Sequence, residues 1–247
     1  MDKLIKTKSF ELAVLTRGDQ NAKKLALILP GRLDTKDYAC FSSHADYLAK
    51  QGFYAVAFDP PGTWESPGAI DLYTTTNYIK AVNELIEYFG NKPTLLLGHS
   101  RGAAVSIFAS ENSAVVCIVP IMANFGEPTA PGKEAMNKGY KLSYRDLPPG
   151  TSETKEQKEF KLPIAYWKDG EQYNAGEILK NCKKSKLLIY GDQDEFTPVE
   201  TVRKLFEDTP EPKIIKELHS THDYRYSPDS IEEVNAELGK FLNIYFK

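Results

Sequence analysis

Three cysteines in 247 residues are too few, and too scattered, for a disulfide framework. Cys40, Cys117 and Cys182 lie far apart and form no C-x-x-C pair. Cys117 sits in the apolar run AVVCIVP, where a thiol behaves as a small hydrophobe. Charge of one sign is equally scarce. The 31 Lys and Arg stand against 34 Asp and Glu, a net charge of −3 with no long block of either sign. That balance argues against nucleic acid and against an anionic membrane surface as partners. No apolar stretch approaches the ~20 residues that a membrane helix needs. The opening segment MDKLIKTKSFELAV alternates charged and apolar residues and has no apolar leader core. A cytoplasmic setting is the expectation. Phosphate-binding loops are missing too: no G-x-G-x-x-G follows an early strand, and no G-x-x-x-x-G-K-[ST] occurs.

What is present is enough hydrophobic sequence, 41%, for one sizeable core, so residues 1–247 read as a single domain. Short apolar runs alternate with helical periodicity. Strands are expected at 9–16, 25–29 (LALIL), 53–58 (FYAVAF), 94–97 (TLLL), 114–119 and 186–190 (KLLIY), and near 213–218. Helices are expected over roughly 38–50, 72–89, 101–110, 171–182, 198–207 and 229–245. In the last of these, Ile231, Val234, Leu238, Phe241, Leu242 and Tyr245 make one apolar stripe, read as core packing. Near-continuous apolar strands between helices imply an α/β fold, with a mostly parallel central sheet and helices on both faces. The alternation fails between 121 and 170, where prolines, glycines, charges and scattered aromatics replace it. That stretch is too long for an ordinary connection and reads as part of a lid inserted at about 121–183.

The sharpest local signal is Gly98-His99-Ser100-Arg101-Gly102. Chance places G-x-S-x-G in a chain this long roughly 0.1 times. Here it follows the strand TLLL and precedes the helical run AAVSIFAS, the strand–turn–helix setting in which such a serine is exposed as a nucleophile. The glycines have a steric reason: a side chain at either position would collide with the adjoining strand or helix. The bland alternative is a helix N-cap serine in a glycine-rich turn. A serine hydroxyl is a weak nucleophile. It needs a base, and the base needs an orienting acid. Two later strand ends supply candidates: Asp192 and Asp194 after KLLIY, and His219 and His222 after the strand near 213–218. Both segments fall at the same sheet edge as Ser100. His219 and His222 could imitate a metal pair, but no third ligand is obvious, and no metal or cofactor is called for.

These residues resemble the α/β-hydrolase family over nearly the whole chain, and more narrowly small bacterial serine esterases of the cinnamoyl/feruloyl type. The irregular stretch matches worst. The resemblance implies a Ser, Asp, His chain order. Its G-x-x-D-x-x-x-P pattern runs from Gly191 to Pro198 and selects Asp194 over Asp192. His222-Asp223-Tyr224 fits the family's histidine context, which selects His222 over His219. The same resemblance implies an oxyanion hole from the backbone amides of Arg101 and Arg32, although Pro30-Gly31 stands where the family commonly has His-Gly. The loop Asp59-Pro60-Pro61-Gly62-Thr63-Trp64-Glu65-Ser66 resembles a family turn in which Trp64 replaces a glycine. Asp59 reads there as structural and Trp64 as a packed loop aromatic. The expectation is hydrolysis of a small carboxylic ester through an acyl-enzyme, with thioester or amide substrates as alternatives. A small-molecule receptor or scaffold on the same fold is the non-enzymatic alternative.

Overall fold

The computed structural model describes residues 3–126, 130–151 and 155–246. In chain order it begins with β1 (Lys3–Lys6), β2 (Glu11–Arg17), β3 (Lys24–Leu29), α1 (Ala39–Lys50), β4 (Phe53–Phe58) and α2 (Thr75–Tyr88). Next come β5 (Thr94–His99), α3 (Arg101–Phe108), β6 (Val115–Ile121), α4 (Lys133–Lys138), β7 (Tyr140–Asp146) and β8 (Gln157–Pro163). The chain closes with α5 (Ala165–Gly170), α6 (Ala175–Asn181), β9 (Ser185–Gly191), α7 (Val199–Glu207), β10 (Lys213–Leu218) and α8 (Pro228–Tyr245).

The main sheet has eight strands in the order β1-β2-β4-β3-β5-β6-β9-β10. β1 pairs antiparallel with β2, and β2 antiparallel with β4. Every later pairing is parallel. Two apolar layers cover it. Along β3, Leu25, Leu27 and Leu29 face one layer with α2 and α3, while Ala26 and Ile28 face the other with α1 and α8. A strand buried on both faces loses the period-2 alternation of a half-exposed one, which is why LALIL, FYAVAF and TLLL are nearly continuous in apolar residues. The stripe on α8 is core as expected, with Ile231, Val234, Leu238, Phe241 and Leu242 all buried. The three cysteines are free and buried, and burial pushes the Cys40 and Cys117 thiols well above their ordinary range.

The segment between β6 and β9 holds structure that periodicity does not reveal. β7 and β8 form an antiparallel hairpin from Tyr140↔Pro163 to Asp146↔Gln157. Only single residues along it, such as Ser143, Phe160 and Leu162, are buried. One thinly covered face needs few apolar residues, so the strands read as charged loop. A short helix, α5, ends before the range 171–182, and the helix expected there is the shorter α6. Asn174 caps α6 by accepting from the Glu177 amide. Residues 127–129 and 152–154 of the expected lid lie outside the described residues.

His44 on α1 is fully enclosed. Its Nδ1 lies 2.7 Å from Asn235 Oδ1, an acceptor, so Nδ1 carries the proton. Nε2, 2.8 Å from the Tyr224 hydroxyl, then accepts. Both ring nitrogens are thus satisfied in the neutral form, and burial pushes the imidazole down to about 4. Unfolded, it titrates near 6.5. Below that value the unfolded chain binds a proton the folded chain does not. Stability therefore falls as pH drops through this window, by an amount on the order of 3 kcal/mol once pH is below both values. In His44→Gln this part of the slope is absent. Urea unfolding at about pH 7 and about pH 4.5 reads the difference between the two proteins.

Candidate active site

Ser100 stands between the last residue of β5 and the first of α3, at φ 51° and ψ −111°. A non-glycine residue in that region is strained and is held there only by its surroundings. Here the holding is visible. The Ser100 amide donates to the Ile121 carbonyl at 2.9 Å. A Cβ on Gly98 would run into the backbone of Gly102 and Ala103, and a Cβ on Gly102 into the Leu29 and Pro30 carbonyls. The two glycines therefore let α3 start against β3 and β5, and the close fit lifts the Ser100 side chain out of the turn.

His222 follows β10 and Asp194 follows β9, so both reach Ser100 from the carboxyl ends of neighbouring strands. Ser100 Oγ lies 2.8 Å from His222 Nε2, and His222 Nδ1 lies 3.0 Å from Asp194 Oδ2. Asp194 Oδ1 also accepts from the Phe196 and Thr197 amides at 2.8 and 3.3 Å. Burial opposes ionisation of this carboxyl, but the imidazole beside it and those two amides outweigh burial and hold it below the usual carboxylate range. With Asp194 ionised, His222 Nδ1–H donates to it, and Nε2 is left with a lone pair facing the Ser100 hydroxyl.

The rival pair exists as well. His219 Nδ1 lies 2.7 Å from Asp192 Oδ2. Its side chains are 83% and 31% exposed, against 10% and 2% for His222 and Asp194. Neither Asp192 nor His219 borders the cavity onto which Ser100 opens. Spacing alone does not separate the two pairs. Burial and contact with Ser100 do.

That cavity has a volume of about 460 Å³ and is bordered by Ser100, His222, Arg32 and Arg101, with apolar wall from Phe108 and Trp167. A second depression of about 490 Å³ runs along α2 and includes none of these residues. Arg32 lies in the loop after β3, and that loop is pinned carbonyl by carbonyl. Pro30 O accepts from the Tyr78 hydroxyl at 3.0 Å, Gly31 O from the Asp34 amide at 3.2 Å, and Arg32 O from Arg145 Nε at 2.7 Å. Leu33, at φ 61°, accepts from Trp64 Nε1 at 2.7 Å. Trp64 thus packs in the loop, edge-on to Tyr38 and Phe160, as expected. Asp59 is buried and accepts from Thr35 Oγ1 and from the Lys36 and Glu65 amides, which ties the two loops together.

The profile of a family described as alpha/beta hydrolase fold matches residues 26–142. Among solved structures, Est1E from Butyrivibrio proteoclasticus with ferulic acid bound superposes with a TM-score of 0.75 at 17% identity, covering 99% of this chain and 99% of that one. The Pyrococcus furiosus esterase Pf2001 gives 0.73 at 20% identity, covering 100% and 93%. The thioesterase domain from the curacin biosynthetic pathway gives 0.71 at 15% identity, covering 97% and 99%. The chain has the alpha/beta hydrolase fold. No curated protein sequence matches it significantly.

Several residues of this site escape a sequence reading. His99 Nε2 donates to the His222 carbonyl at 3.0 Å, and Glu195 Oε2 accepts from the His222 amide at 3.2 Å, so the His222 backbone is gripped from both sides. The Phe196 ring meets the His222 ring edge-on at 4.7 Å. These three stand inside or beside the recognised motifs and were within reach as their variable positions. Arg145 and Arg225 carry no such signal. Arg145 meets the Arg32 carbonyl across 113 positions of sequence. Arg225 donates to Gly150 O and Asp146 Oδ2, fixing the far end of β7 to the loop that bears His222.

Proposed function

We propose that the protein is a serine hydrolase that cleaves a small carboxylic ester through an acyl-enzyme on Ser100. The observation that carries this reading is the hydrogen-bonded chain Ser100–His222–Asp194 at the edge of a cavity of small-molecule size. His222 Nε2 takes the hydroxyl proton as Ser100 Oγ adds to the ester carbonyl carbon. The oxyanion turns to the backbone amides of Arg32 and Arg101, which the pinned loop and the start of α3 hold in place. His222 then gives the proton to the leaving alkoxide oxygen, and the alcohol departs. Water attacks the acyl-enzyme, His222 takes its proton, and Ser100 recovers that proton as the acid leaves. The segment between β6 and β9 acts as the lid, with Trp167 supplying cavity wall. Among the similar structures, one named an esterase and one named a thioesterase domain support acyl transfer in general. A thioester is therefore the second substrate class to test.

An alkyl fluorophosphonate, with the labelled residue identified by mass spectrometry, tests the nucleophile. Hydrolysis of p-nitrophenyl acetate and methyl cinnamate tests the reaction. The expected result is a label on Ser100 that His222→Ala prevents, together with turnover of at least one ester. A folded protein that is unlabelled and inert towards both esters would instead favour the receptor reading.

A further inference from the structure

The cavity beside Ser100 is lined by more cations than the reaction uses. Its basic residues are Arg32, Arg101, Lys141, Arg145 and Arg225, and its acidic ones Asp34, Glu195 and Asp223. The acids are all engaged. Asp34 faces Arg145 Nε at 3.3 Å and His99 at 3.5 Å. Asp223 pairs with Arg225 at 3.2 Å, and Glu195 accepts from the His222 amide. Arg145 and Arg225 are engaged in turn by Asp34, Asp146 and Asp223. Of the remaining three, Lys141 is exposed, and Arg32 and Arg101 are left over at the cavity. Neither side chain has a carboxylate partner or a hydrogen-bond acceptor among the described residues. Arg32 Nε and Arg101 Nη2 are nevertheless both shut away from solvent. The Arg101 guanidinium lies over the Tyr166 ring at 5.3 Å, a contact that satisfies none of its N–H groups.

A buried guanidinium N–H without an acceptor is costly, and natural structures rarely keep one without a reason. The guanidinium groups of Arg32 and Arg101, both residues that line the cavity onto which Ser100 opens, keep N–H groups with no acceptor and together form a receptor for an anion. The guanidinium fork matches a planar carboxylate in particular. Phe108, Tyr166 and Trp167 add apolar wall to the same cavity. From these observations we infer that the substrate carries a carboxylate away from the scissile bond, joined to an apolar body, and that the Arg32 and Arg101 side chains bind it. This rests on the serine hydrolase reading and narrows it to carboxylate-bearing esters. The backbone amides of these residues serve the oxyanion, and their side chains select the substrate.

The test pairs esters that differ by one charge. p-Nitrophenyl hydrogen glutarate against p-nitrophenyl valerate places the carboxylate on the acyl side. 4-Acetoxybenzoate against 4-acetoxybenzamide places it on the alcohol side. In at least one pair the charged ester is expected to show kcat/KM higher by about tenfold or more, the usual scale for a charge-assisted hydrogen bond. Arg32→Gln and Arg101→Gln each lower that ratio, and the double variant brings it to about one or below. Using the ratio within each protein cancels any effect of the substitutions on the oxyanion hole. Calorimetric binding of monomethyl glutarate and methyl valerate to Ser100→Ala adds a readout that needs no turnover. Preference for the anion there upholds the inference even where hydrolysis fails, so the two readings fail separately. Equal kcat/KM within both pairs and equal binding of the two methyl esters would overturn it, as would a charge preference that the double variant leaves intact.

Discussion

Ser100→Ala is expected to lower kcat by about 10⁶, to the residual that ground-state binding and the oxyanion hole sustain without a nucleophile. The substitution is clean. Alanine tolerates the same left-handed turn no worse than serine, Gly98 and Gly102 still admit the helix, and the Ser100 amide still donates to Ile121 O. Only the hydroxyl 2.8 Å from His222 Nε2 is lost. The variant should therefore unfold at nearly the wild-type temperature and bind substrate with a similar Kd. The measurement is steady-state hydrolysis of the best p-nitrophenyl ester after pretreatment with fluorophosphonate, which silences contaminating wild-type enzyme. Retention of more than about a hundredth of the wild-type kcat would mean that the bond is not broken by Ser100.

The part of the fold that carries this serine was legible for a physical reason. β3, β4, β5, β6 and β9 lie inside the sheet with helices on both faces, and double burial makes a strand almost purely apolar. β1 was not legible. It is the outer strand, Ile5 is its single buried residue, and its sequence KLIK says little more than surface. The β7–β8 hairpin was hidden in the same way, with most of its side chains at least partly in solvent. Burial leaves a trace in sequence, and strand pairing at an exposed edge leaves almost none.

The candidate site divides along a similar line. Ser100 was legible because its constraint is local: three residues, one turn, and two Cβ positions with no room. The candidate acid and base were legible only as two pairs of alternatives, and the family pattern chose between them. What distinguishes the pairs physically is convergence in space. His222 comes to Ser100 from 122 positions away, while His219, three residues earlier, points out beside Asp192. The supports from Arg145 and Arg225 belong to the same class of fact. Their partners are set by where the hairpin docks on the sheet edge.

The two acid–base pairs can be separated by two substitutions that each remove one charge and almost no volume. In Asp194→Asn the carboxamide can donate to His222 Nδ1. The imidazole then keeps its proton on Nε2, where it faces Ser100 Oγ as a donor and takes no proton from it. A loss of about 10⁴ in kcat is expected from the wrong tautomer alone. Asp192→Asn should leave kcat/KM in place, since neither Asp192 nor His219 borders the cavity. Its effect appears elsewhere. The hydrogen bond and charge of Asp192 hold the His219 imidazole above its ordinary value. The substitution therefore moves the His219 titration to lower pH, which proton NMR of the ring resolves. The sign follows from the pair: a neutral amide no longer favours imidazolium, so the proton leaves at lower pH. Retained activity in Asp194→Asn with collapse in Asp192→Asn would transfer the acid's role to the exposed pair. The opposite pattern ties it to the carboxylate that is 2% exposed and 3.0 Å from His222.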